Sequence, residues 1–212
     1  MIDSQYIAES IEKAKNGYPR LLPIIKGGSS PKCRRLLNLI GARSTKYLEI
    51  GVAAGSTFIP AIYKNRHLQA VCIDDWRPHS INDFGAIDVR SKFIKNINRY
   101  VKNYDITIIE QDCFKTDLKL IGAGVDMYFY DGDHSRQSQY MALTYFGPVL
   151  ANRFVLIVDD FNLDEPLEET CRAIRELVWE VEWYITLPTV KWFDPKDWWN
   201  GLFVAIINKR EG

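Results

Sequence analysis

The chain has 212 residues, 47% of them apolar, which is enough for one well-buried domain and short for two. Its 27 basic and 27 acidic side chains cancel, so the long-range positive field of a nucleic-acid binder is missing. No apolar run approaches the roughly 20 residues of a membrane span, and the N-terminus lacks the apolar centre of a signal peptide.

The first periodic stretch, Ser4 to Ala14, places Ile7, Ala8 and Ile11 at helical spacing, and Asn16-Gly17 stops it. Pro19, Pro23 and Gly27-Gly28 mark an irregular connection. A second helix starts at Ser30-Pro31 and runs to Gly41, which should lie just past its end. These two helices either cap the mouth of a sheet or pack on its face. The basic residues of this region (Lys13, Lys15, Arg20, Lys26, Lys32, Arg34 and Arg35) read as a solvated face. The central stretch is Lys46 to Thr57, KYLEIGVAAGST: a buried parallel strand entering a glycine turn. Ser56 and Thr57 can cap a helix through Phe58 to Ile62, with Pro60 in its first turn. Glycines admit a ligand close to the backbone, and free N–H groups at a helix start attract electron-rich groups.

From there strands and helices alternate. Strands are expected at Leu68 to Ile73, Ile106 to Ile109, Val125 to Tyr130 and Phe154 to Val158. Helices are expected over Val89 to Val101, Ser135 to Leu150 and about Pro166 to Glu180. Two further strands, Val181 to Leu187 and Leu202 to Asn208, flank an aromatic loop rather than a helix, so they should pair antiparallel. The pattern predicts an α/β fold, a doubly wound, mostly parallel seven-stranded sheet with an antiparallel last strand and N-terminal helices. With no linker, residues 1–212 form a single domain, a helical cap over 1–45 and a Rossmann-like core over 46–212. The four cysteines (Cys33, Cys72, Cys113 and Cys171) form no CxxC pair, which fits free thiols and a cytoplasmic protein.

An acid closes each of the five parallel strands: Glu49, Asp74, Asp112, Asp131 with Asp133, and Asp159 with Asp160. Any one could cap a following helix. Gathered at one sheet edge they repel, and hydroxyls, a cation or a metal should compensate them. Asp74 lies about 20 residues past the glycine turn, the spacing at which an acid reaches ribose hydroxyls. A nucleoside-bearing cofactor follows, either a nicotinamide dinucleotide or S-adenosylmethionine. The pyrophosphate of the first conflicts with this charge, whereas the sulfonium and ammonium of the second suit it. The turn also lacks the third glycine of the dinucleotide pattern.

LEIGVAAGST resembles the first motif of class I S-adenosylmethionine-dependent methyltransferases, and CIDDW their acid-ended second strand. EQDCF, DMYFYDGDHS and LIVDD resemble the later motifs, and DGDHS is similar to the macrocin- and cephamycin-type and catechol-type O-methyltransferases. The resemblance implies that Glu49, Gly51, Ala53, Gly55 and Ser56 line the methionine side of S-adenosylmethionine. It implies that Asp74 holds the ribose, that Asp112 and Cys113 lie near the adenine, and that Asp131 adjoins the cofactor. Asp131, Asp159 and Asp160 match the ligands of a divalent metal, and three oxygen donors suit Mg²⁺. Two departures bear on substrate choice: Arg136 stands where an aromatic often follows, and Leu150-Ala151-Asn152-Arg153 replaces a Gly-Gly turn.

Asp131 and His134 are the candidate catalytic residues. A metal at the strand ends could lower the pKa of an acceptor hydroxyl, with His134 as general base; alternatively His134 caps the next helix or contacts adenine. The loop Arg77 to Ala86 is expected to wall the pocket, and the Trp192–Trp199 loop to serve as a subunit contact in a homo-oligomer. The acceptor would be a hydroxylated small molecule such as a sugar or natural product, with no nucleic-acid or membrane partner. An NAD-dependent oxidoreductase and a catalytically silent binding module are the rival readings.

Overall fold

The computed structural model describes residues 2–17, 22–77 and 88–209. Its helices are α1 (Ser4–Lys15), α2 (Pro31–Gly41), α3 (Phe58–Ile62), α4 (Val89–Tyr100), α5 (Arg136–Thr144) and α6 (Asp164–Glu176). Its strands are β1 (Lys46–Ile50), β2 (Gln69–Asp74), β3 (Ile106–Glu110), β4 (Val125–Tyr130), β5 (Leu150–Val158), β6 (Glu180–Leu187) and β7 (Leu202–Asn208). They form one sheet in the order β3-β2-β1-β4-β5-β7-β6, parallel except for the β5–β7 and β6–β7 pairs. The expected architecture and the antiparallel final pair are therefore present.

Alternation along each strand divides the core between two faces. Tyr47, Cys72, Phe129, Ile157 and Val204 pack against residues of α1 to α4, including Ile7, Ile11, Leu36, Ile40, Phe58 and Phe93. Leu48, Ile73, Tyr128, Leu156 and Ala205 pack against Leu143 of α5, Ala173 of α6 and Phe146. Burial on both faces explains why β1 and β4 read as nearly continuous apolar runs. Of the two options for α1 and α2, the structure shows packing on the sheet face.

Several boundaries move for local reasons. Helix α5 stops at Thr144, because Gly147-Pro148 turns the chain into a 3-10 segment where Pro148 supplies no N–H. Leu150 to Arg153, expected as a connection, instead extends β5; the Lys209 N–H donates to the Asn152 carbonyl at 2.7 Å, and Arg153 pairs with Glu182 at 2.7 Å. Helix α6 runs from Asp164 to Glu176, ahead of the expected span, and Val178 at φ 57° turns the chain toward β6. Gly41 is the last residue of α2 rather than the first beyond it. The Ser56/Thr57 cap is also corrected: Thr57 precedes α3 without capping it, and its hydroxyl donates to Glu49.

Candidate functional site

The connections from β1 wind toward β3, and those from β4 wind the other way, so the sheet's switch point lies between the C-terminal ends of β1 and β4. The glycine turn opens there. The Gly51 N–H donates to the Ile73 carbonyl and the Asp131 N–H to the Ile50 carbonyl, both at 2.9 Å. Gly51 sits at φ 83°, and a Cβ on it would fall 2.0 Å from the Asp131 carbonyl oxygen, so no larger residue fits this crossing.

Asp74 ties the turn to β2. Its two carboxylate oxygens accept from the Ala53 N–H at 2.8 Å and the Trp76 N–H at 2.7 Å, while the Trp76 indole N–H donates to the Ala53 carbonyl at 2.9 Å. Burial raises the Asp74 pKa, opposed by these backbone N–H groups. Each oxygen keeps a lone pair for a further donor. Gly55 closes the turn by donating to the Val52 carbonyl at 2.7 Å, and Ser56 follows it, buried.

Glu49 carries no exposed surface. Its oxygens accept from the Tyr47 and Thr57 hydroxyls, and burial pushes its pKa up to about 8. It supports the turn from below instead of presenting a charge at the rim.

The acids at the ends of β4 and β5 are only partly brought together. Asp131 and Asp159, at the ends of the neighbouring strands β4 and β5, act on each other's carboxyl, which favours a proton held between them. Burial holds the Asp131 pKa well above the usual carboxylate range, and the charges of Asp159, Asp160 and Glu49 add to it. Asp159 is raised as well, by burial and then by Asp160. Asp160, at φ 54°, turns elsewhere: Asn200 Nδ2 donates to its Oδ1 at 2.7 Å, and His134 Nε2 lies 3.3 Å from its Oδ2. The other ring nitrogen of His134, Nδ1, meets the Gln139 amide at 3.0 Å. The carboxylate oxygens suit a hard divalent cation in chemistry, which would have to displace the proton they hold. Among the described residues, however, no three His, Cys, Asp or Glu side chains stand in a ligand arrangement, because Asp160 is engaged by Asn200 and His134.

Asp112 accepts from the Phe114 N–H at 3.0 Å, starting a 3-10 turn, and pairs with Lys115 at 3.3 Å. The Cys113 thiol is pushed up to about 12 by burial and then by Asp112, so it sits there as a neutral group. Asp133 accepts from the Ser135 and Ser138 hydroxyls at the start of α5. Arg136 pairs with Glu168 and Glu169 at 2.8 and 3.1 Å.

Two segments wall the site. Gly27 to Ser30 crosses directly over Ser56, with the Ser29 hydroxyl 3.3 Å from that of Ser56. The loop before β7 meets this strap: Lys32 pairs with Asp197 at 3.1 Å and lies over the Trp198 ring at 5.7 Å. Of the Trp192–Trp199 loop expected as a subunit contact, Trp198 is buried and Trp199 packs on the core, while Trp192 and Phe193 are its exposed aromatics. Of the expected pocket loop Arg77 to Ala86, residues 78–86 lie outside the described residues. Asn200 and Arg34 have no periodicity or motif that marks them in the sequence. Both become visible only through their contacts.

A family model described as a methyltransferase domain matches residues 48–161. No curated protein sequence matches the chain. Among solved structures, the cofactor-bound Rv0187 from MTB superposes with a TM-score of 0.62 at 17% identity, covering 99% of this chain and 92% of that one. The O-methyltransferase from Bacillus cereus in complex with SAH gives 0.57 at 16% identity, covering 98% and 93%. SAH-bound methyltransferase PaMTH1 of Podospora anserina gives 0.57 at 14%, covering 99% and 89%. At such identities the likeness establishes the fold. No described helix is long and apolar enough to cross a membrane.

Proposed function

Because the chain belongs to the methyltransferase domain family, we propose that it moves the methyl group of S-adenosylmethionine to a hydroxyl oxygen of a small molecule. The observation that carries this reading is the pairing of an Asp74-tied glycine turn with the Asp131–Asp159 pair across one switch point. A ribose suits the first and a sulfonium cation suits the second. A dinucleotide's pyrophosphate would meet buried carboxylates instead, which disfavours NAD.

In the transfer, an acceptor oxygen lone pair attacks the methyl carbon and the S–C bond breaks. Its electrons return to sulfur, and the acceptor's proton leaves to a base. Catalysis is largely alignment, with the acceptor held in line behind the methyl group. We assign the base to His134, whose Nε2 faces Asp160 at 3.3 Å as an orienting carboxylate. Its remaining lone pair faces Gln139, so that amide must yield to the acceptor. Asp131, Asp159 and Asp160 would hold a divalent cation such as Mg²⁺ once the Asp131 proton is lost and Asp160 turns from Asn200 toward the other two, and the cation would supply Lewis-acid activation of the acceptor hydroxyl.

Transfer of labelled methyl from S-adenosylmethionine to a panel of hydroxylated sugars and catechols tests the activity. Transfer should appear with Mg²⁺ and fall after EDTA; unchanged rates after chelation would remove the metal from the reading. No transfer to any acceptor, with the cofactor still bound, would favour the silent module. His134→Gln is expected to lower turnover on the order of 100-fold, and native turnover in that variant would remove the base assignment. Asp74→Asn should weaken S-adenosylhomocysteine binding by roughly 10–100-fold through loss of charge-assisted hydrogen bonds. Calorimetry reads that loss, and an unchanged Kd would place the ribose elsewhere.

A further inference from the structure

Positive and negative charge cancel over the whole chain, yet they are segregated along the strands. The acids stand at the C-terminal ends of β1 to β5, and cations gather at the other end of the sheet. There the Gln69 N–H donates to the Thr45 carbonyl at 3.0 Å and the Ala70 N–H to the Asp105 carbonyl at 2.9 Å, which sets the turns before β1, β2 and β3 side by side. These turns and the ends of α2 and α4 expose Arg43, Lys64, Arg66, Arg99 and Lys102. Among the described residues none of the five forms an ion pair, whereas Arg136, Arg153 and Arg172 each face a glutamate. Of the carboxylates at this end, Asp126 accepts the Thr45 and Lys46 N–H groups at 2.9 Å, and Asp105 acts on Lys46. The three guanidiniums lie over tyrosine rings, Arg43 over Tyr6 at 3.8 Å, Arg66 over Tyr104 at 4.9 Å and Arg99 over Tyr100 at 5.1 Å. The Tyr104 hydroxyl also accepts from the Lys64 N–H at 3.2 Å, so Lys64 and Arg66 belong to one cluster.

A guanidinium held flat on a ring keeps its fork of donors and offers its other face. Among the described residues these three donate no hydrogen bond to a protein group, so forks and outer faces are both free. Free forks suit phosphates, and free guanidinium faces suit stacked bases. We propose that this edge docks single-stranded nucleic acid, with phosphates on Lys64, Lys102 and the forks and with bases on the tyrosine-backed arginines. An anionic membrane fits less well. A bilayer takes an apolar wedge beside the cations, and none of the exposed large apolar side chains falls within residues 41–67 or 99–105. The face lies the six residues of β2 away from Asp74, roughly 20 Å at about 3.3 Å per residue. Docking there is independent of the methyl-transfer reading and leaves the acid-rimmed turn open.

Fluorescence anisotropy of a labelled oligouridylate of about 12 nucleotides, within the span of one small single-strand site, tests this on the full chain. Wild type should bind it in the micromolar range. Contact with about three phosphates should weaken binding roughly 20-fold between about 50 and 200 mM salt. Arg66→Gln combined with Arg99→Gln should weaken binding about 10-fold or more at low salt and flatten the salt dependence, with Tm and S-adenosylhomocysteine affinity kept. Arg66→Lys keeps the charge without the plane, so it should keep the salt dependence and lose roughly 5-fold or more in affinity. Native affinity in the double variant would overturn the proposal, and so would no binding by wild type. Equal affinity for a blunt duplex of the same length, whose bases are closed to stacking, would overturn it too. That comparison uses wild type alone and stands even if a variant fails to fold. Displacement of the oligonucleotide by phosphatidylserine vesicles or by polyglutamate at matched charge would mark a membrane or acidic-protein contact instead, and would likewise overturn it.

Discussion

Gly51→Ala is expected to lower Tm by about 10 °C or more and to abolish measurable S-adenosylhomocysteine binding. The added Cβ would meet the Asp131 carbonyl oxygen at 2.0 Å, its carbon at 2.7 Å and the Gly132 Cα at 3.2 Å. All three are backbone, so no side chain can swing aside. The strands cannot part cheaply either, because Gly51 is bonded to Ile73 and Asp131 to Ile50. A φ of 83° adds strain for any L residue with a side chain. Steric overlap and strain of this kind cost roughly 3–5 kcal/mol, and in a domain of this size each kcal/mol moves Tm by about 2–4 °C. A Gly51→Ala protein with native Tm and native Kd would show that the β1–β4 crossing is not held as described.

Asp131→Asn is expected to move stability and activity in opposite directions. Asp159 and Glu49 are buried and Asp131 half-buried, and the pKa values of all three are raised in the fold, Glu49 to about 8. The folded chain therefore holds these protons more tightly than the unfolded chain. Their contribution to stability is complete below the ordinary carboxylate pKa near 4 and is lost as pH climbs through about 8. Without added metal, Tm should accordingly fall between pH 5.5 and pH 8.5. An amide at position 131 can still donate to Asp159 and has no charge to develop, so Asp131→Asn should raise Tm at pH 8 by a few °C and flatten its pH dependence. Methyl transfer should fall at least about 100-fold, because the variant loses a proposed ligand beside the acceptor. Lower stability at pH 8 would contradict the shared-proton pair, and retained transfer would contradict the ligand role of Asp131.

What could be read from the sequence follows from chemistry with a fixed spacing. The glycine turn, Asp74 and the acids after β4 and β5 each sit where a strand ends, and a strand end is visible as an apolar run meeting a polar break. The sheet was legible for the same reason, since burial on both faces leaves runs such as Val125 to Tyr130 almost unbroken. Boundaries beside Pro148 and Val178 shifted because a proline and a left-handed residue decide them locally. Contacts across long sequence distances were not legible. Asn200 reaches Asp160 from 40 residues away, and Lys32 reaches Asp197 from 165 away. Nothing in the spacing of either pair marks it. Arg34 reads as solvated because a basic residue on a short helix normally faces water; in the structure it is buried and donates to Ser29 of the strap.

Titration of the full chain with S-adenosylhomocysteine, and separately with NAD, followed by calorimetry at pH 7.5, tests the acid-rimmed turn most directly. One saturable site for the adenosyl ligand at micromolar concentration, with no heat from NAD, is the expected result. Binding of NAD with no response to S-adenosylhomocysteine up to millimolar concentration would contradict it.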